Sequence, residues 1–504
     1  MTLTAMIAPA SSQSFDALQE LGNAFRRGAT AYALGCSITA SYAGCFGEGC
    51  LGSPTGDETK WFGPLGKQYQ PRGFLSAMMR NISVTVTGNG NGPHAGRLFN
   101  RGMGGSIGNN EVACLRTFIP PHQADVVFLD FFFGHASTEV ALQKLRVLLM
   151  HLRGGVYGPR PPFVVILLNR WWCLTNDGED PMDAHTRING EQTLFWPNKT
   201  WAFCRNQARG ATDDSEKFQK ARARIEGETT DVKAAILRSF SQHCGGVAVL
   251  SVAEEVIPLL LSRKLSVSQV APDGIHPARP PLPEHHPSFA EAFEQQALTA
   301  AWTRVLTRWA AGVLTGERPA DETRHRNVRC RWSMAKYAGA DSGATCFGAD
   351  YFMPKPQILE MKGFEWIAMK ANDVSAPKPG WVSREAAASL TLLIDHGLTG
   401  IDSDHPQRLS VDLHFLHTYT KRNAGTALIA CSGSCACQPA THSTFWKFTW
   451  SSDQSKQISP IEVFNMSACK LTITSMTRDH VKLRGLRVAI EQKNAPQSLA
   501  FLGR

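Results

Sequence analysis

Several things are missing from this 504-residue chain, and each absence removes a class of protein. No apolar run approaches the ~18 residues of a membrane span, so a helical membrane protein is excluded. The N-terminus, Met1 to Ser14, lacks a basic stretch followed by an apolar core. It therefore does not read as a signal peptide, and the sequence leaves the compartment unknown, with the secretory pathway open. The thirteen cysteines include no paired C-x-x-C set, which disfavours a structural zinc site. Net charge is +9, yet the lysines and arginines are scattered and form no long basic block or aromatic-basic motif. That argues against nucleic acid as a partner. Gly88-Asn-Gly-Asn-Gly92 lacks the lysine and hydroxyl residue of a phosphate loop and reads as a turn. His285-His286 has no nearby set of ligating residues, so neither a metal nor an organic cofactor is implied. No repeat recurs at a fixed period.

What is present is enough hydrophobic content, 43%, for real cores, in a chain long enough for two or three domains. Through about residue 310, short apolar runs alternate with helical patterns, the signature of a parallel sheet covered on both faces. The expected strands are Ala31–Leu34, Ser83–Thr87, Val126–Leu129, Phe163–Leu168 and Val247–Leu250. Amphipathic helices are expected over Gln143–Leu152, Val232–Phe240 and Phe289–Leu314. Residues 169–230 are polar, tryptophan-bearing and too long for an ordinary connection, so they read as an insertion. Charge accumulates over 316–342, a linker by composition.

Beyond the linker the hydrophobic period becomes two. Ser389–Asp395, Leu409–Leu416, Thr426–Ala430, Phe445–Trp450, Ile461–Phe464, Lys470–Thr474 and Leu483–Ile490 read as strands of a β-sandwich. The expected layout is a doubly wound, five-stranded α/β domain over 1–315 and a sandwich over 343–504. Cys431, Cys435, Cys437 and Cys469 would suit one or two disulfides in that sandwich, while the odd cysteine total leaves at least one thiol unpaired. Trp446 and Trp450 share one strand face, either buried or available to stack on sugar rings. Trp171, Trp172, Trp196 and Trp201 raise the same pair of readings in the insertion.

Two segments carry chemistry. The first apolar run stops at Gly35-Cys36-Ser37-Ile38-Thr39, which puts a serine where a doubly wound sheet collects its ligands. Much later comes Asp273-Gly-Ile-His276. An aspartate three residues before a histidine can hold Nδ1–H and leave Nε2 free to deprotonate a serine.

Together these blocks resemble the SGNH (GDSL-type) hydrolases over about Thr30 to Leu314. Gly35-Cys36-Ser37-Ile38-Thr39 resembles the first family block, with cysteine in place of its aspartate. Asn100-Arg-Gly-Met-Gly-Gly105 resembles the second, and Asp273-Gly-Ile-His276 matches the fifth. The resemblance implies an SGNH/flavodoxin-like three-layer fold and a serine esterase. Ser37 would be the nucleophile, His276 the base and Asp273 its orienter, with the backbone amides of Ser37 and Gly105 receiving the oxyanion. The third block departs from the pattern, because Asp130-Phe-Phe-Phe133-Gly134-His135 puts glycine where the family's oxyanion asparagine is expected. His135, Asn109 and Asn110 are the replacement donors at hand. The implied substrate is a small acyl ester or acetylated carbohydrate. An O-acyltransferase would use the same triad, and a degenerate hydrolase site would leave a carbohydrate- or protein-binding protein.

Overall fold

The computed structural model describes residues 17–35, 74–87, 96–101, 114–130, 138–153, 160–168, 246–252, 295–316, 344–349, 353–367, 379–394, 407–418, 424–445, 452–458, 460–463 and 469–490, with a few shorter pieces between them. It has two regions: an α/β domain built on a parallel sheet, followed by a β-sandwich.

The parallel sheet contains β1 (Thr30–Gly35), β2 (Arg97–Asn100), β3 (Val126–Asp130), β4 (Phe163–Leu168) and β7 (Val247–Ser251) in the order β2-β1-β3-β4-β7. Two-residue strands β5 (Arg187–Ile188) and β6 (Glu191–Gln192) pair as a separate ribbon inside the expected insertion. Every pairing in the main sheet is parallel, and β3 and β4 are buried throughout. Continuous apolar runs such as Phe163–Leu168 are what such strands require, because both faces are covered.

Alternate residues divide between two cores. Ala31, Ala33, Leu98, Val126 and Phe128 face the first, formed with helices α1 (Ala17–Arg27), α2 (Phe74–Thr87) and α5 (Ala297–Thr315). Trp302 of α5 is fully buried there and stacks on Phe74, ring centroids 5.4 Å apart. Tyr32, Leu34, Val127 and Leu129 face the second core, with the short α3 (Leu115–Phe118) and with α4 (Thr138–Arg153).

One expected strand is a helix. Ser83–Thr87 forms the last turns of α2, and the second strand lies at Arg97–Asn100 instead. The β-branched run Val84-Thr85-Val86 favours a strand locally, but the preceding residues decide otherwise. Phe74, Leu75, Met78, Met79 and Ile82 are buried at helical spacing against α5, leaving Val84 50% exposed. Asn81 Nδ2 donates to Thr307 Oγ1 of α5 at 3.1 Å, and Thr85 Oγ1 donates back to the Asn81 carbonyl at 2.8 Å. The expected helix over 232–240 and nearly all of 316–342 lie outside the described residues.

The sandwich has one sheet of eight strands: β8 (Thr345–Gly348), β10 (Phe364–Ile367), β11 (Gly380–Ser383), β13 (Gln407–His417), β15 (Cys435–Ala436), β17 (Ser452–Gln457), β18 (Ile461–Val463) and β20 (Val481–Ile490). The facing sheet has five: β9 (Gln357–Lys362), β12 (Ser389–Leu393), β14 (Thr426–Gly433), β16 (Ala440–Ser443) and β19 (Cys469–Ser475). Period-two patterning produces the core directly: Leu409, Val411, Leu413 and Phe415 of β13 face Leu471 and Ile473 of β19, Ile429 of β14, and Leu390 and Leu392 of β12. Residues 446–450 lie outside the described residues, and the strand that follows them begins at Ser452. Disulfides Cys431–Cys437 and Cys435–Cys469 close the four expected cysteines within the sandwich.

A third disulfide joins the two regions. Cys114, at the N-terminus of α3, is bonded to Cys346 of β8. Cys346 and Met353 pack into the second core of the α/β domain. Strand β8 in turn pairs with β20, with Cys346 opposite Arg487.

Candidate active site

The sheet reverses direction at β1: the chain passes from β1 outward to β2, then crosses back to β3 on the other side. The crevice beyond the carboxyl ends of β1 and β3 is therefore the topological switch point, where ligands collect in such sheets. β1 ends at Gly35, two residues before Ser37, and Gly35 stands opposite Asp130, the last residue of β3. β2 ends at Asn100, opposite Ala33, immediately before the Gly105 block. The Asp273–His276 block lies between β7 and α5 in the chain. The strands that precede the three matching blocks and Gly134 in the chain, β1, β2, β3 and β7, thus all end on the same side of the sheet.

Ser37, Gly105, Asn109, Asn110, Gly134, His135, Asp273 and His276 themselves lie outside the described residues. What the structure adds at this edge is three buried polar residues, each closing a strand: Asn100, Asp130 and Ser251. Asn100 follows Leu98 by two and Asp130 follows Phe128 by two, so both side chains point to the face covered by α2 and α5. Between them Gly35 has no side chain. The sequence signal was a polar residue ending an otherwise apolar strand, in segments read only as family blocks.

The amino ends of the strands differ in kind. Asp125 Oδ2 accepts from the Thr30 amide at 2.8 Å, and Arg27 lies 3.8 Å from the same carboxylate. Arg153 Nη1 donates to the carbonyls of Pro161 and Pro162, both at 2.9 Å. Gly246, at φ 75°, lies against this guanidinium, where a Cβ would come within 2.6 Å of Nη2. These contacts tie neighbouring chain segments together.

Among the described residues, His151, His414 and His417 are buried and His442 is half-buried. Burial, helped by Arg116, pushes His151 of α4 down to about 4. Burial also holds His414 near 4; Asp412 works against it, while Arg487 and Arg484 reinforce it. His417 and His442 meet across the two sheets with Nε2 atoms 2.9 Å apart. Burial puts His417 near 4, and burial with the His417 and Lys456 charges puts His442 near 3. No group of three or more potential metal ligands occurs among the described residues. No helix among them is long and apolar enough to cross a membrane.

The sandwich also presents an aromatic surface that the sequence reading passed over. Trp366 of β10 is 40% exposed and lies 4.9 Å from buried Trp381. Lys355 Nζ sits 5.1 Å from the Trp366 ring and donates to the carbonyls of Gly348 and Ala349.

No family model matches the chain, and no curated protein does. Among solved structures, the chain is similar to a two-domain esterase active on acetylated mannans, with 15% identity over 95% of this chain and 97% of that one, at a TM-score of 0.44. Shorter likenesses include a family 35 carbohydrate binding module from Clostridium thermocellum, 9% identical over 29% of this chain and 98% of that one, TM-score 0.21. Another is a carbohydrate binding module from Cellvibrio mixtus lichenase 5A in complex with cellotriose, 10% identical over 29% of this chain and 98% of that one, TM-score 0.20. At these identities and scores they say nothing of which residues act.

Proposed function

We propose that the protein is a serine ester hydrolase acting on carboxylic esters, with acetylated carbohydrate as the substrate class. The observation that supports this reading is the register of Gly35 with Asp130 at the switch point: β1, which ends two residues before Ser37 in the sequence, ends where a doubly wound sheet collects its ligands. Ser37 Oγ attacks the ester carbonyl carbon as His276 Nε2 takes the hydroxyl proton, and Asp273 holds the imidazole through Nδ1–H. The tetrahedral oxyanion is received by the amides of Ser37 and Gly105. Collapse breaks the bond to the leaving alcohol, which departs with the proton from His276. Water then repeats the sequence, adding to the acyl-enzyme and releasing the acid and Ser37. An N–H from His135, or the amide of Asn109, takes the place of the family asparagine absent at Gly134. The three disulfides among the described residues suit an oxidising compartment.

Covalent labelling with a fluorophosphonate tests the reading, because only an activated serine reacts. Labelling that is lost in Ser37→Ala and His276→Ala is the expected result; an intact, folded protein that takes no label overturns it.

A non-catalytic carbohydrate-binding role is the second reading, favoured by Gly134 and by the exposed Trp366 beside Trp381. It is distinguished by polysaccharide binding without labelling.

A further inference from the structure

We propose that β9 is a docking edge for a second copy of this chain, the two β9 strands pairing antiparallel about a two-fold axis at Met361. β9 ends the five-stranded sheet: β12 pairs with one of its sides, and no strand among the described residues pairs with the other. Such an edge presents a row of main-chain donors and acceptors to any strand of matching register. Exposed apolar surface gathers in the same place. Of the five exposed large apolar side chains among the described residues, Leu359 (42%), Met361 (46%) and Trp366 (40%) lie on β9 and β10. Trp366 is flanked by Lys355 and Trp381, which leaves Leu359 and Met361 for a partner.

The register with β12 fixes which way each residue points, because residues directly opposite share a face. Met361 stands opposite Leu390 and Ile358 opposite Leu392, both of the buried core, while Glu360 and Lys362 stand opposite Thr391 and Ser389 on the other face. The bulge falls at Leu359 and leaves Glu360–Lys362 regular. Charge then selects the occupant. A two-fold contact is self-complementary, so each pair across it occurs twice. Centred on Met361, it sets Glu360 opposite the partner's Lys362 and Lys362 opposite the partner's Glu360, two opposite-charge pairs on one face. On the other face Met361 meets the partner's Met361 and extends the core past Leu390, while Leu359 comes opposite the partner's Gly363, which has no side chain. Centring on Glu360 instead would oppose two like carboxylates. Among the described residues neither Glu360 nor Lys362 is engaged in an ion pair, so both charges are available. Gly363, at φ 68°, turns the chain into β10 of the other sheet, where the ladder stops. A lysine on an open edge discourages chance pairing, and here a copy in this register answers it with a glutamate.

The experiment uses the full chain. Sedimentation velocity over a concentration series at low salt compares wild type with Glu360→Lys, Lys362→Glu and the two substitutions combined, with circular dichroism to confirm folding. Wild type should form a species of twice the 55.2 kDa chain mass. Each single reversal puts like charges opposite one another at both pairs and should weaken the dimer about tenfold or more, and the combined exchange should restore it. Met361→Cys gives an independent reading: oxidation should join two chains through that position, under conditions that leave wild type and Glu365→Cys uncrosslinked. A wild type that stays monomeric at every concentration overturns the proposal, as does a dimer indifferent to both single reversals. If a reversal fails to fold, the cross-link decides alone, and its absence in folded Met361→Cys overturns the pairing.

Discussion

The two regions dispose of their buried polar groups differently. In the α/β domain, Asn100, Asp130 and Ser251 gather at one edge of the sheet, each at the end of a strand. In the sandwich, buried His414, Lys482, Arg484 and Arg487 lie along β13 and β20, with Arg487 Nη1 held 3.0 Å from Asp412 Oδ2, and buried Ser383, His417 and Ser475 close strands of both sheets. In a parallel sheet every strand ends on the same side, so its closing polar groups gather at one crevice; antiparallel strands end alternately on opposite sides, and theirs are dispersed. That gathering at one crevice is in keeping with the proposed placement of the chemistry in the first region.

Ser37→Ala should break the comparison most sharply. Hydrolysis of p-nitrophenyl esters should fall by about 10⁴-fold or more while the melting temperature stays put, since residues acting as one catalytic unit fail together. Activity surviving in that variant would move the chemistry elsewhere. Replacing Cys114 and Cys346 together by serine should lower stability by roughly 3–5 kcal/mol, because the bond closes a loop of 232 residues. The expected sign in calorimetry is a single transition that becomes two. Trp302→Ala should cost about 3–5 kcal/mol, confined to the α/β domain, by emptying the site against Phe74.

Acid should act on the sandwich before it acts on the parallel sheet. His414, His417 and His442 are all held below the ordinary histidine value of 6.5 in the folded state. Their contribution is fully present above about pH 6.5, where the unfolded histidines are neutral too. It is lost as pH falls through about 4, because the unfolded chain takes up protons that the folded one refuses. The shift of His414 to about 4 corresponds to roughly 3 kcal/mol, and among the described residues of the α/β domain His151 is the one comparable group. Melts between pH 7 and 4 should show the sandwich transition falling faster, with the slope reduced in His414→Gln. The smallest effect belongs to Trp366→Ala, which should weaken polysaccharide binding several-fold and leave hydrolysis of small esters unchanged.

The strands with continuous apolar runs, Val126–Leu129 and Phe163–Leu168, were readable because burial on both faces leaves no alternative composition. Cysteine spacing suggested one or two disulfides among the four sandwich cysteines, but the pairing of Cys431 with Cys437 and Cys435 with Cys469 came only from the fold. Ser83–Thr87 was not, since its β-branched residues favour a strand and only the packing of Phe74, Met78 and Ile82 on α5 makes them helical. Strand β9, largely solvent-exposed at the edge of its sheet, carries no burial pattern to read. In the candidate site, the sequence supplied Ser37, Asp273 and His276 as motifs, while the placing of buried Asn100 and Asp130 beside the end of β1 came only from strand register. Register is a property of pairing, and no single strand encodes it.

The bond between Cys114 and Cys346 also bears on how the chain can be divided. Cutting the chain in the charged stretch before β8 would strip Cys346 and Met353 from the second core and leave Cys114 as a solitary thiol next to α3. The sandwich therefore cannot be trimmed away or grafted elsewhere as an interchangeable accessory: its first strand is already part of the wall of its neighbour, and the two must be expressed, moved and inherited as one piece.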